Sequence, residues 1–103
     1  MFQIVRTYVK ADGSELYEDV MGLIDSASTH KAFKEEKEGF VGIRGYLSPD
    51  GTEFVVKETW DTEAHREAWF NSDPERRLAN RAKINQYIAE KNLVESMTKV
   101  ELP

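Results

Sequence analysis

The chain has 103 residues, a formal net charge of −5 and no cysteine. Its length suits a single domain spanning 1–103. With 40% hydrophobic and 32% charged residues it is too apolar for a disordered chain and too polar for a membrane-spanning one. The acidic balance argues against nucleic-acid binding, because phosphate contacts need clustered Lys and Arg. Without cysteine, any chemistry must use oxygen and nitrogen groups.

The amino-terminal segment MFQIVRTYVK is too short and too polar for the core of a signal peptide. The sequence therefore predicts a cytoplasmic location. His30 has no second ligating residue at a metal-like spacing, so we expect no metal site.

The first predicted elements are a strand and a helix. Side chains alternate along Phe2–Lys10, with Arg6 and Tyr8 on the same face. Asp12 and Gly13 then form a turn, and Ser14 is a possible N-cap. An apolar stripe of helical period follows, formed by Leu16, Val20, Leu23, Ile24 and Ala27.

The first helix is predicted to break. If it continued, the polar residues His30, Lys31 and Lys34 would fall on its buried stripe. We therefore expect a kink near 26–29, followed by a short second helix that ends at Gly39.

A hairpin is predicted next. Strand-like segments at 40–47 and 53–60 flank the turn Ser48-Pro49-Asp50-Gly51 and must pair antiparallel. In the first of these strands, Ile43 shares a face with Val41 and Leu47, whereas the opposite face carries Phe40, Arg44 and Tyr46.

The second half of the chain predicts a divided helix and a final strand. Asp61 or Thr62 can cap a short helix that ends near Asn71, and Asp73 can cap a longer one with Pro74 at its first position. The segment 93–102 reads as the last strand. The order β-α-β-β-α-β with split helices predicts an α+β, ferredoxin-like fold with a four-stranded antiparallel sheet.

Both faces of this sheet carry aromatic or branched residues, among them Tyr8, Tyr46, Val55 and Val100. Helices can cover only one of these faces. The sequence therefore predicts a homodimer in which the second sheet face packs against an identical subunit.

The segment from Trp60 to Asp73, W-D-T-E-A-H-R-E-A-W-F-N-S-D, together with the E-G-F-V-G at 38–42, resembles the antibiotic-biosynthesis-monooxygenase-like domains of the dimeric α/β barrel superfamily. The resemblance implies a pocket between sheet and helices, and an activity such as cofactor-independent oxygenation of aromatic polyketides or haem degradation. Trp69 matches a pocket-lining Trp of the haem-degrading members. Their haem-ligating His corresponds to Ala79, and their strand Asn falls near Val5, which disfavours haem.

Several residues are candidates for the site. His65 and Trp69 lie four apart, so a helix would stack an imidazole base beside an aromatic wall. The alternative is that Trp69 fills the core and His65 is its surface neighbour. On the last long helix, Arg81 falls within a stripe predicted to be buried, which consists of Leu78, Ile84 and Ile88, with Asn85 adjacent. Buried guanidinium groups need anionic or carbonyl partners.

The leading hypothesis is a small-molecule monooxygenase that needs no cofactor and acts on an aromatic or enolisable substrate. His65 would be the base, and Arg81 and Arg44 would stabilise the anion. The predicted substrate-binding residues are Trp69, Tyr8, Tyr46, Arg6 and Asn85. One alternative is a non-catalytic dimer that binds a ligand or merely completes a core, and another is a haem-binding protein.

Overall fold

The computed structural model describes residues 1–103 and confirms the predicted α+β, ferredoxin-like fold. A single antiparallel sheet has the strand order β2-β3-β1-β4. No helix has both the length and the apolar character to cross a membrane. The elements in chain order are β1 Phe2–Lys10, α1 Val20–Glu35, β2 Phe40–Leu47, β3 Phe54–Trp60, α2 Glu63–Ser72, α3 Pro74–Glu90 and β4 Leu93–Glu101.

The register of the sheet decides which side chains face the helices. Arg6 on β1 stands opposite Val56 on β3 and Met97 on β4, and Tyr8 stands opposite Phe54 and Glu95. Because paired residues of antiparallel strands point to the same side, these residues share the face that the helices cover. We call this the inner face and the opposite one the outer face.

The predicted hairpin turn is present, and so are the predicted caps of the second helical region. Gly51 adopts a φ of 74° in the turn between β2 and β3. The Thr62 hydroxyl accepts a hydrogen bond from the backbone N–H of His65 at 3.2 Å, and a carboxylate oxygen of Asp73 accepts one from that of Arg76 at 3.1 Å. These caps divide the second helical region into α2 and α3, as predicted.

The predicted kink in the first helix is wrong, and so is its start. Helix α1 runs without a break from Val20 to Glu35. Ser14 does not cap it, because the helix begins only at Val20, with Asp19 at the N-cap position. The Ser14 hydroxyl instead donates a hydrogen bond to the carboxylate of Asp12 at 2.6 Å. The helix continues through His30 and Lys34 because Lys34, although buried, finds an ionic partner on the sheet.

Two clusters form the core. The first consists of Tyr8, Leu16, Leu23, Phe54 and Leu93, and the second of Phe33, Trp60 and Trp69. The face that α3 buries also differs from the prediction. Leu78 is 59% exposed, whereas Ile84 is buried together with Asn80 one turn earlier. Ile88 packs partly buried against the first cluster.

Candidate functional site

A cavity of about 590 Å³ lies between α1, α3 and the inner face of the sheet. This volume is within the usual range for small-molecule sites, about 300–1,000 Å³. Ile24 and Leu47 line the cavity and are themselves exposed, so it opens to solvent between α1 and β2. Most of the wall is apolar, formed chiefly by Val20, Leu23, Ile24, Ala27, Ile43, Leu47, Phe54, Val56 and Ile84.

Polar side chains from four elements meet in this cavity. The sequence predicted three of them as site residues, namely Arg6, Tyr8 and Arg81, and the structure places all three in the cavity wall. Among the polar residues that it adds are three charged or ionisable ones deep in the cavity that sequence reasoning missed, His30 and Lys34 from α1 and Glu58 from β3.

Glu58 is the centre of a buried hydrogen-bond network. Its Oε1 lies 2.6 Å from Lys34 Nζ and 3.4 Å from Arg6 Nη1. Its Oε2 accepts a hydrogen bond from Trp60 Nε1 at 2.6 Å. Burial alone would raise the pKa of this carboxyl, but Lys34, Trp60 and Arg6 together hold it below its usual value. The carboxylate is therefore ionised and paired.

Lys34 is the least exposed lysine of the cavity, with 4% of its side chain accessible. Burial and the nearby charge of Arg6 together lower the pKa of Lys34 to about 8, against the opposing effect of Glu58. Nζ lies 4.8 Å from the centre of the Trp69 ring, which attracts the ammonium form.

His30 is neutral in the cavity. Burial, and then the charge of Lys34, lower its pKa to about 3. The ring packs edge-on against Trp69 with 5.1 Å between centroids, and its buried Nδ1 has no hydrogen-bond partner. Few buried polar atoms lack a partner, so Nδ1 retains a hydrogen-bonding capacity that nothing in the chain uses.

A second polar group of the cavity joins Tyr8, Arg81 and Glu95. The Tyr8 hydroxyl donates to Glu95 Oε2 at 2.6 Å, and Arg81 pairs with the other carboxylate oxygen. Burial, and then Glu95, raise the pKa of the Tyr8 phenol, so it stays a neutral donor. Arg81 thus has the partner that the sequence analysis required, and part of its charge is neutralised.

His65 does not line the cavity, so the structure does not bring it together with Arg6, Tyr8 and Arg81. Its Nδ1 lies 2.7 Å from a carboxylate oxygen of Asp61, and its Nε2 lies 3.8 Å from Glu38. The side chain packs beside Gly39 at the start of β2 and is 34% exposed. The hydrogen bond to Asp61 raises the pKa of His65.

Trp69 also lies outside the cavity wall, although it is 2% exposed. It fills the second core cluster beside Phe33 and Trp60. The alternative interpretation of Trp69 as core is therefore the one that the structure supports. Its ring contributes to the site indirectly, because it packs against His30 and Lys34, which line the cavity, without lining the cavity itself.

Three further predicted site residues are excluded from the cavity by their positions. Arg44 and Tyr46 project from the outer face, where they line a separate depression of about 260 Å³ with Lys57. Alternation along β2 directs Ile43 inward instead, so Arg44 and Arg81 lie on opposite sides of the sheet and cannot converge. Asn85 is exposed on α3 and does not reach the cavity.

A sequence signal existed for the three missed residues. His30 and Lys34 continue the apolar stripe of α1 at helical spacing, and Glu58 lies on the same face of β3 as Val56 and Trp60. A carboxylate in an otherwise apolar strand face and a lysine in an apolar helix stripe are complementary. Sequence reasoning treated the helical half of this pattern as a break.

No protein-family model and no curated protein sequence matches the chain. Solved structures do match. The cofactor-independent oxygenase SnoaB from Streptomyces nogalater superposes with a TM-score of 0.70 at 12% identity over 99% of this chain and 92% of that one. A candidate antibiotic biosynthesis monooxygenase from Deinococcus radiodurans superposes with a TM-score of 0.67 at 13% sequence identity, over 100% of this chain and 93% of that one. A monooxygenase of Streptomyces coelicolor, ActVA-Orf6 in complex with nanaomycin D, superposes with a TM-score of 0.62 at 19% sequence identity, over 99% of this chain and 88% of that one.

Proposed function

Because the chain has the fold of antibiotic-biosynthesis-monooxygenase-like domains, we propose that it is a monooxygenase that uses no cofactor. Its substrate would be a small, mainly apolar molecule with an enolisable or phenolic group. The observation that carries the proposal is the cavity of about 590 Å³, in which the neutral imidazole of His30 stands beside the cations Lys34 and Arg6.

The first step we propose is removal of a proton from the substrate by His30. Its pKa is low in the empty cavity because burial and Lys34 both disfavour the imidazolium. A substrate anion that forms next to Lys34 would offset that charge and raise the proton affinity of the imidazole. Lys34 and Arg6 would stabilise the same anion, so the cavity favours the ion pair of imidazolium and enolate.

The second step is reaction with oxygen. The substrate carbanion transfers one electron to O₂, and the resulting radical and superoxide combine to a peroxide that takes the proton back from His30. The hydroperoxide then loses water to leave a carbonyl, so that a CH₂ group and O₂ give C=O and H₂O. The apolar walls, including Phe54 and Val56, would keep water from quenching the carbanion.

This proposal is tested by oxygen uptake with anthrone, a tricyclic ketone with an acidic CH₂ group, in buffer that contains a metal chelator. We expect the purified protein to accelerate uptake and His30→Gln to lower the rate by about 10²–10⁴-fold, the usual contribution of a general base.

The matched variant is His65→Gln, because the chain has two histidines and His65 lies outside the cavity. It is expected to keep the wild-type rate. Loss in His65→Gln with retention in His30→Gln would restore the sequence-based assignment. Saturable binding of anthraquinone without turnover would favour the non-catalytic ligand-binding alternative.

Haem does not fit the position that the resemblance assigns to its ligand. Ala79 has no ligating atom and is exposed on α3. A Soret band that appears on titration with haemin and disappears in His30→Gln would nevertheless contradict the cofactor-free proposal.

We also retain the homodimer as a proposal. The outer face is uncovered in one chain and exposes Tyr46, Val94 and Val100. Val41 is exposed there too, because an irregularity of β2 between Phe40 and Gly42 takes it off the face of Ile43 on which the sequence predicted it. An identical face could bury them, as expected for apolar patches of this kind. Light scattering should give about twice the chain mass of 11.9 kDa, and Val94→Glu should shift the particle toward the monomer. A monomeric wild-type protein at micromolar concentration would refute this proposal.

A further inference from the structure

We propose that Lys34 captures a carbonyl group of the ligand as a protonated Schiff base, with Glu58 moving the proton. The ligand class is an apolar aldehyde or ketone. This proposal shares the cavity with the proposed oxygenation but needs neither O₂ nor His30, so each can fail separately.

The geometry presents the amine of Lys34 to the cavity with few competing bonds. Lys34 lines the cavity, and its only hydrogen-bond partner is Glu58 Oε1 at 2.6 Å. One donor of the ammonium is therefore used and two are free. Its stem extends from the last turn of α1, and Trp69 packs against the amine with Nζ 4.8 Å from the ring centre.

The surroundings also favour the reactive neutral amine. Glu58 opposes loss of the proton, but burial and the cations Arg6 and Arg66 together outweigh it and bring the pKa of Lys34 to about 8. His30, which also lines this cavity, is neutral and adds no charge. At pH 7 about a tenth of such amines are neutral, compared with about one in 2,500 for an ordinary lysine. Desolvation beside another cation is a known way to activate a lysine.

Lys34 and Glu58 can together supply every proton transfer that iminium formation needs. Glu58 takes a proton from the ammonium of Lys34, and the amine adds to the carbonyl carbon to give a carbinolamine. Glu58 then returns the proton to the carbinolamine hydroxyl, which leaves as water. The net change is R–NH₃⁺ and O=C to R–NH⁺=C and H₂O, with no oxidant or reductant.

The product suits this site because the positive charge is conserved. The iminium would stay opposite the carboxylate of Glu58, so no buried charge loses its partner. The carbon substituents would extend along the apolar wall, where Val56 and Ile84 lie. A small aldehyde or ketone with an aromatic or branched body therefore fits the lining best.

The test uses benzaldehyde as the probe, without oxygen at pH 7, followed by borohydride reduction and peptide mapping by mass spectrometry. We expect Lys34 to carry the benzyl group at least about tenfold more often than Lys83, an exposed lysine on α3 outside the cavity. The wild-type protein is enough to overturn the proposal: it would do so if all lysines were labelled equally, or if Lys34 carried no label.

Variants separate the role of Lys34 as the amine that forms the adduct from the role of Glu58 in proton transfer. Lys34→Arg keeps the charge opposite Glu58 but has no reactive amine, so the selective adduct should vanish, whereas Lys83→Arg should leave it unchanged. Glu58→Gln should slow adduct formation by about 10²-fold through loss of proton transfer. A Glu58→Gln rate equal to that of wild type would remove Glu58 from the proposal. Oxygen uptake that depends on His30, together with failed trapping, would leave the proposed function intact and refute the iminium.

Discussion

Replacement of Glu58 by alanine is expected to destabilise the fold by about 3–5 kcal/mol, because it leaves the ammonium of Lys34 buried without its partner. The carboxylate also accepts hydrogen bonds from Trp60 and Arg6, and both donors would lose their acceptor. A typical domain has only about 5–15 kcal/mol of stability in total. The measurement is the free energy of unfolding from urea titration.

Two matched variants give this result its meaning. Glu53→Ala removes an exposed carboxylate just before β3, the strand that carries Glu58. It should change the free energy of unfolding by less than about 0.5 kcal/mol. The double variant Lys34→Met/Glu58→Leu should recover most of the loss, because a buried ion pair can often be replaced by apolar residues without a net cost. A loss below about 1 kcal/mol in Glu58→Ala would mean that Lys34 reaches water and that the pair is not buried.

The second large effect is destabilisation in acid caused by His30. Its pKa falls from 6.5 to about 3 on folding, so the unfolded chain binds more protons between these values. Stability is therefore fully present above pH 6.5 and is lost as the pH falls towards 3. Between pH 6.5 and 5 the loss from this residue should be about 1.5–2 kcal/mol.

The pH window separates His30 from the other groups. Glu58 has a lowered carboxyl pKa, so its contribution is lost only below its usual value of 4.5. His65 has the opposite sign, because its raised pKa gives stability that is present below pH 6.5 and lost as the pH rises through the folded value. Urea titrations of His30→Gln should lack the loss between pH 6.5 and 5, whereas His65→Gln should keep it. An unchanged slope in His30→Gln would contradict the burial of a neutral imidazole.

A buried ion pair beside a cavity is more easily explained by function than by stability. The desolvation of Lys34 and Glu58 costs free energy that their attraction offsets only in part. Strongly shifted pKa values in a cleft are also typical of reactive sites. In this chain the shifted groups His30, Lys34 and Glu58 line one cavity, which is the physical basis of both proposals.

The topology was predictable because its signals are local. The hairpin turn, the caps Thr62 and Asp73 and the alternation of the strands each depend on residues close together in sequence. The path of α1 was not predictable in this way. Lys34 is tolerated in the buried stripe by Glu58, a partner 24 positions later on β3, and no helical wheel contains that information.

The sequence singles out only some of the residues that line the cavity, for a related reason. Arg6 and Arg81 stand out because each is a charge among apolar or aromatic residues, and Tyr8 because it shares a strand face with Arg6. Arg44 interrupts its strand in the same way but lies on the outer face, and the pattern of one strand does not say which face the helices cover. His65 stands out in the sequence because four-residue spacing places it above Trp69, whereas in the structure Asp61 holds it at the surface, outside the cavity.

The central claim is that the cavity between α1 and the sheet holds the ligand. The most direct test is a crystal structure of the protein with anthraquinone, the stable product expected from anthrone. Density for the ring system is expected against His30 and between Phe54 and Ile84, with a carbonyl oxygen near Lys34. A cavity that closes around its own side chains, or a ligand that binds only on the outer face beside Arg44, would contradict it.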